Sequence, residues 1–291
     1  MFEKEFPSAT AEAHRQALAI EGYNMLRMAV EEQFHPSHPY THLCVKADET
    51  DPDEAFSTVP YDKGHAFLFY LERLVGGPQR FDAWLRKYIE TFKYRSVTTE
   101  QWRQHFTGHF ADVDFSVVDW HAWFNTPGMP IVQPEYDDSV LVVAREVAAK
   151  WLSGDGEGAE ESEWSSLTPC QKIHVLDRLL YHVISQNQKL PAAKLEKMRT
   201  MYKLDEVRNA EIRVRWTRLC LRSHFEAIVD SALDFVTVQG RMKLVRPVYR
   251  AMLLWEATRD RAVANFVKQR EFMHPMTASL VQRDLDAILA A

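Results

Sequence analysis

From about residue 167 to residue 289 the chain reads as one helix-length apolar pattern after another, at about 167–187, 191–203, 206–221, 223–238, 246–257, 259–270 and 276–289. In each, apolar residues recur three and four positions apart, the spacing that gives a helix one buried face. Pro191 opens one segment at its first turn, Gly240 follows another, and Pro247 and Pro275 punctuate later ones, with Pro247 expected in a first turn. Connections this short make successive helices antiparallel neighbours. The expected layout is therefore a serial stack, α-solenoid-like, although no strict sequence repeat marks it.

Prolines 127, 130 and 134 form an extended connector ahead of this array. They place a domain boundary there, giving units 1–133 and 134–291. In the first unit, residues 11–33 are rich in Ala, Leu, Met and Glu and read as a helix. A second helix, 62–75, carries Phe67, Leu68, Tyr70, Leu71, Leu74 and Val75, and Gly76-Gly77 ends it. Pro78 opens the next, 78–93, and Thr98 to Gln101 are capping-type residues for a third. Residues 42–47 read as a short strand or extended chain. The acidic, glycine-rich run from Gly154 to Ser162 reads as a mobile loop. With ten glycines in 291 residues, the whole is expected to be mostly α-helical.

Composition removes several function classes. At 46% hydrophobic residues the chain can bury a full core, so disorder is not expected. No apolar run approaches the roughly 18 residues of a membrane span, and the charged N-terminus has no secretion-signal core. Cys44, Cys170 and Cys220 fit no metal or redox spacing, and a reduced, cytoplasmic setting follows. A net charge of −6 argues against a nucleic-acid partner.

Two histidine groups invite a metal reading. His35, His38 and His42 lie in a proline-broken segment with no carboxylate or cysteine between them, which favours structural or surface roles. His105 and His109 share a helix face, but Phe106 stands where a zincin motif has glutamate. Two other stretches carry chemistry. Asp53 and Tyr61 lie on a turn-rich segment before the buried helix. A fixed tyrosine hydroxyl can donate to a developing oxyanion, and a carboxylate can hold an amine or orient water. By itself Tyr61 reads more simply as a cap or core tyrosine. In Gly240-Arg-Met-Lys-Leu-Val-Arg-Pro247, Arg241, Lys243 and Arg246 precede or open a helix, where cations oppose the dipole. They gain if an anion binds there too; a solvated basic loop is the simpler alternative.

Val59-Pro-Tyr-Asp-Lys-Gly-His-Ala-Phe-Leu-Phe-Tyr-Leu-Glu-Arg-Leu-Val-Gly-Gly-Pro78 resembles the segment that follows the zinc site in the M1 zinc aminopeptidases of the leukotriene A4 hydrolase and aminopeptidase B branch. Asp119 to Pro130, Asn209 to Trp216, Gln239 to Pro247 and His274 to Val281 agree in order. The resemblance implies an all-α chain: the helical latter part of a thermolysin-like catalytic domain, residues 1–133, followed by an armadillo-like α-α superhelix, residues 134–291. It implies a peptide substrate, with Tyr61 stabilising the tetrahedral intermediate, Asp53 lining the cavity, and Arg241 and Lys243 holding the substrate carboxylate. Phe56 stands where leukotriene A4 hydrolase has a second tyrosine, which puts epoxide hydrolysis in doubt. The family's cofactor is zinc, yet no His-Glu-x-x-His occurs here. The expectation is a chain that holds no zinc itself, either a fragment that works with an upstream catalytic half or a non-catalytic helical interaction module.

Overall fold

A computed structural model describes residues 8–46, 55–154 and 156–290. Among the described residues the regular structure is all helical, 73% of the chain with no strand. Residues 42–46 are bends and irregular chain, so the expected short strand does not form over them. No described helix is long and apolar enough to cross a membrane. The chain divides into two compact units, Leu18–Tyr136 and Asp137–Ala291 with Met1–Ala17.

Within Leu18–Tyr136, the end of α1 (Ser8–Met28) runs into a π-helical turn, Ala29–Gln33. Then come α2 (Val59–Leu74), α3 (Pro78–Phe92), α4 (Thr99–His109) and the short α5 (Trp120–Asn125). Two glycines stop α2. Gly76 and Gly77 both take positive φ, and the Gly77 N–H donates to the Glu72 carbonyl at 2.8 Å. Pro78 then starts α3 at its first position. Thr98 and Gln101 form a complete capping box on α4, as their spacing suggests. Aromatic residues fill the core: Phe67, Trp84, Phe106, Phe110 and Trp123 are buried together. Trp84 meets Phe106 edge-on at 4.8 Å, and Phe67 lies 4.9 Å from Trp123. Each such pair adds about 0.5–1.5 kcal/mol beyond the area it buries.

The second unit holds α6 (Val142–Ser153), α7 (Glu161–Ser166), α8 (Pro169–Ser185), α9 (Ala192–Met201), α10 (Ala210–Arg222), α11 (Val229–Val238), α12 (Met242–Leu254), α13 (Glu256–Gln269) and α14 (Pro275–Ala290). Alternate helices form a row. α6 packs on α8, α8 on α10, α10 on α12 and α12 on α14. Leu176 and Leu179 of α8, Leu219 of α10 and Met252 of α12 are fully buried.

Two local expectations change. Residues 156–162 make defined contacts, where composition suggests a loop without them. Gly156 has φ +69°, and a Cβ there would come within 2.4 Å of the Trp151 ring. Lys150 donates to the Gly158 carbonyl at 2.7 Å, and Glu160 with Glu163 caps α7. A short helix and an aromatic wall thus restrain a segment whose composition suggests mobility. Pro247 lies inside α12, not in its first turn. Its missing N–H leaves only the Lys243 carbonyl, near the exposed end of α12, without a helical donor, so the helix tolerates it there.

Candidate functional site

Tyr61 belongs to the first turn of α2, which starts earlier than the apolar pattern alone indicates. Pro60 lies beside it, where a missing N–H breaks no helical bond. The Thr58 carbonyl accepts from the Tyr61 and Asp62 N–H groups at 3.0 and 2.9 Å, and the Ser57 hydroxyl accepts from the Val59 N–H. Backbone bonds therefore define where Tyr61 begins. Its side chain is 72% exposed, and its hydroxyl has no partner among the described residues. The simpler reading as a core or capping tyrosine is thus incorrect: Tyr61 faces outward, with His65 and Leu68 one and two turns on. Phe56, just ahead of α2, is also exposed. Asp53 lies outside the described residues.

Lys63 is the residue that sequence reasoning missed. It is buried on the inward stripe of α2 with Val59, Ala66 and Phe67. That stripe has helical spacing, so periodicity could have flagged a lysine in a core position. Its ammonium has three N–H donors and three acceptors: the carbonyls of Thr41 at 2.9 Å, Thr126 at 2.7 Å and Gly128 at 2.9 Å. The Thr41 hydroxyl accepts from the Gly128 N–H at 2.7 Å, closing the knot. Gly128 takes φ +82° close against the Pro36 carbonyl, a position suited to glycine. Burial pushes the Lys63 amine down to about 8. This knot holds the 36–41 turn and the 126–128 turn against the start of α2, and so braces the helix turn that carries Tyr61.

The histidines are engaged elsewhere. His38 Nδ1 accepts from the Tyr40 N–H, and His35 bonds the Ser37 hydroxyl at 2.9 Å. His105 Nδ1 accepts from Trp84 Nε1 at 3.1 Å, within an aromatic cluster. Among the described residues no three His, Cys, Asp or Glu side chains gather to hold a metal ion.

Arg241 and Lys243 open α12. Arg241 is its N-cap residue, and no side chain caps that end. The Arg241 guanidinium is exposed and has no ion pair among the described residues. Lys243 is different: its ammonium lies 2.5 Å from Glu211 Oε1. Arg246 also differs from the expected free basic side chain. It forms a two-bond pair with buried Asp284, which Arg250 joins at 2.6 Å. Phe56 and Tyr61 belong to the first unit, and Arg241 and Lys243 to the second.

Comparison with known proteins connects both units of this all-helical chain to described families. Residues 3–123 match the peptidase family M1 domain, and residues 167–285 match the leukotriene A4 hydrolase C-terminal domain. A leukotriene A-4 hydrolase from Xenopus laevis is 41% identical over 279 residues, covering 94% of this chain and 45% of that protein. A leucine aminopeptidase 2 from Neosartorya fischeri is 33% identical over 282 residues, covering 94% and 44%. Yeast LTA4 hydrolase solved in complex with bestatin aligns with TM-score 0.74 at 26% identity, covering 96% of this chain and 47% of that one. The chain therefore carries a region of the peptidase family M1 domain followed by a leukotriene A4 hydrolase C-terminal region. It spans about half the length of the curated relatives it matches.

M1 peptidases are in general zinc-dependent. The donor set does not fit that ion: the sequence contains no His-Glu-x-x-His, and among the described residues His35 and His38 bond within their own turn and His105 bonds Trp84.

Proposed function

We propose that this chain supplies the transition-state and substrate-anchoring groups of an M1 aminopeptidase that removes N-terminal residues from peptides. Tyr61 donates its hydroxyl to the oxyanion of the tetrahedral intermediate. Asp53 and Phe56 line the substrate cavity, and Arg241 and Lys243 hold the substrate carboxylate. The observation that carries this reading is Tyr61 itself: exposed, with no hydroxyl partner among the described residues, on a helix start whose backbone Lys63 braces. A donor held in place before the reaction stabilises developing charge without reorganising, which is why such a tyrosine accelerates the step. Lacking the zinc ligands, the chain alone is inactive, and the family's missing half must supply them. Phe56 lacks a hydroxyl, so peptidase activity is expected over epoxide hydrolysis.

The test compares the chain alone with the same chain joined to a zinc-bearing upstream half. Alone it should hold no stoichiometric zinc and cleave no aminoacyl-anilide. Joined, it should cleave, and Tyr61→Phe should lower kcat by roughly 10²–10³ with little change in KM. One tight zinc and bestatin-sensitive turnover from the chain alone would overturn the reading. A second reading, a non-catalytic interaction module, draws on the row of stacked helices α6 to α14 with its own core. It is favoured if the joined protein stays inactive while the chain captures a partner that survives Arg241→Ala.

A further inference from the structure

Lys243 is not a free cation. Glu211, near the start of α10, places Oε1 2.5 Å from the Lys243 ammonium and Oε2 3.0 Å from Arg215 Nη1. Arg215 is itself fixed. Its Nε donates to Asp177 Oδ1 at 2.7 Å, both side chains are buried, and its Nη1 also donates to the Glu211 carbonyl. A line of alternating charges therefore runs from α8 through α10 to α12. Glu211 cannot swing away without breaking its bond to a buried guanidinium. Burial opposes its charge, but the Lys243 and Arg215 hydrogen bonds outweigh this and hold its carboxyl below the usual range.

The consequence lies in the charge at the start of α12. Arg241 and Lys243 bring two cations, and Glu211 returns one negative charge; the Arg215–Asp177 pair behind them adds none. Among these five side chains one net positive charge is left, on a helix end that no side chain caps; the Arg246–Asp284–Arg250 group lies further along α12. A monoanion neutralises it, and a dianion overfills it. Glu211 occupies one donor of the Lys243 ammonium and leaves two for a ligand. We propose that Glu211 is a specificity-determining residue, matching the Arg241/Lys243 pair to a monoanionic carboxylate and against a phosphate dianion. This rests on the carboxylate-anchor reading above.

The experiment titrates the full chain with N-acetylglycine and, separately, with inorganic phosphate at pH 8 and low salt. Binding is followed by the backbone amide signals of Met242, Lys243 and Leu244. The unaltered chain should bind N-acetylglycine at least as tightly as phosphate. Glu211→Gln should tighten phosphate more than N-acetylglycine, shifting their ratio by roughly three- to tenfold. Glu211→Asp, which keeps the charge, should restore the original ratio. Arg241→Ala should weaken both anions. If Arg241→Ala weakens both but Glu211→Gln leaves the ratio unchanged, the anchor stands and the role of Glu211 is wrong. If neither anion moves these amides in any variant, the anchor and the inference resting on it both fall.

Discussion

The Lys63 ammonium donates to the Gly128 carbonyl at 2.9 Å across 65 residues of sequence, and the same ammonium also reaches Thr41 and Thr126. Among the described residues no carboxylate bonds this ammonium; its three donors go to three carbonyl dipoles. Replacing Lys63 with Met keeps the stem volume but leaves three inward carbonyls without donors. Each buried unpaired acceptor costs about 1–3 kcal/mol, so Lys63→Met should destabilise the first unit by about 3 kcal/mol or more. Urea unfolding followed by amide exchange in α2 checks this. A loss under 1 kcal/mol would mean that water replaces the ammonium at no cost.

Tyr61→Phe should behave in the opposite way. Its hydroxyl has no partner among the described residues and the ring is mostly exposed. The stability change should stay within about 0.5 kcal/mol. A larger loss in thermal unfolding would reveal a structural role for the hydroxyl and weaken its assignment to the oxyanion.

The Arg215–Asp177 pair is buried, and Arg215 also bonds Glu211. Asp177→Asn leaves a guanidinium in the interior without its nearest charge. Breaking one side of a buried pair costs about 3–5 kcal/mol. Chemical unfolding of the variant should show a loss of that size, and Asp177→Asn with Arg215→Met should recover part of it. Equal stability of the single and double variants would show that the guanidinium finds another partner.

His174 predicts an acid-sensitive second unit. It is 8% exposed and its Nε2 has no hydrogen-bond partner among the described residues. Burial first, and then the Arg178 and Arg145 charges, push its imidazole down to about 4. The unfolded chain takes up this proton near pH 6.5, whereas the folded chain takes it up only near pH 4. Stability is therefore undiminished above about pH 6.5 and falls as pH drops from there to about 4, by about 3 kcal/mol in total. His174→Gln should flatten that part of the pH profile. Unfolding free energies of both proteins at pH 7, 5.5 and 4.5 decide it, and parallel profiles would rule His174 out as the cause.

Much of this architecture was legible beforehand because it depends on local pattern. Helical spacing in α8, α10 and α12, the Gly76-Gly77 stop and the Thr98 capping box act within a turn or two of sequence, so they can be read from one stretch at a time. The same locality explains the errors. Composition reads Gly154 to Ser162 as a mobile loop and gives no sign that Gly156 would lie against Trp151 or that Lys150 would bond the Gly158 carbonyl. A first-turn rule misplaced Pro247, because the residues before it already formed α12. Lys63 was missed for the related reason that its helical spacing argues for the core and its charge for the surface, and only the carbonyls of distant turns decide between them.

The cationic residues at the start of α12 and the tyrosine at the start of α2 follow from sequence, through order along the chain and the resemblance it carries. What those groups meet was decided only by tertiary structure. Arg241 has no ion pair among the described residues, Lys243 is held by Glu211, and Arg246 is spent on Asp284. Three basic residues within six positions thus have three different states. The reason is physical: a side chain's charge is written in its own residue, whereas its neutralisation depends on carboxylates 32 and 38 residues away, brought close only when the helices pack.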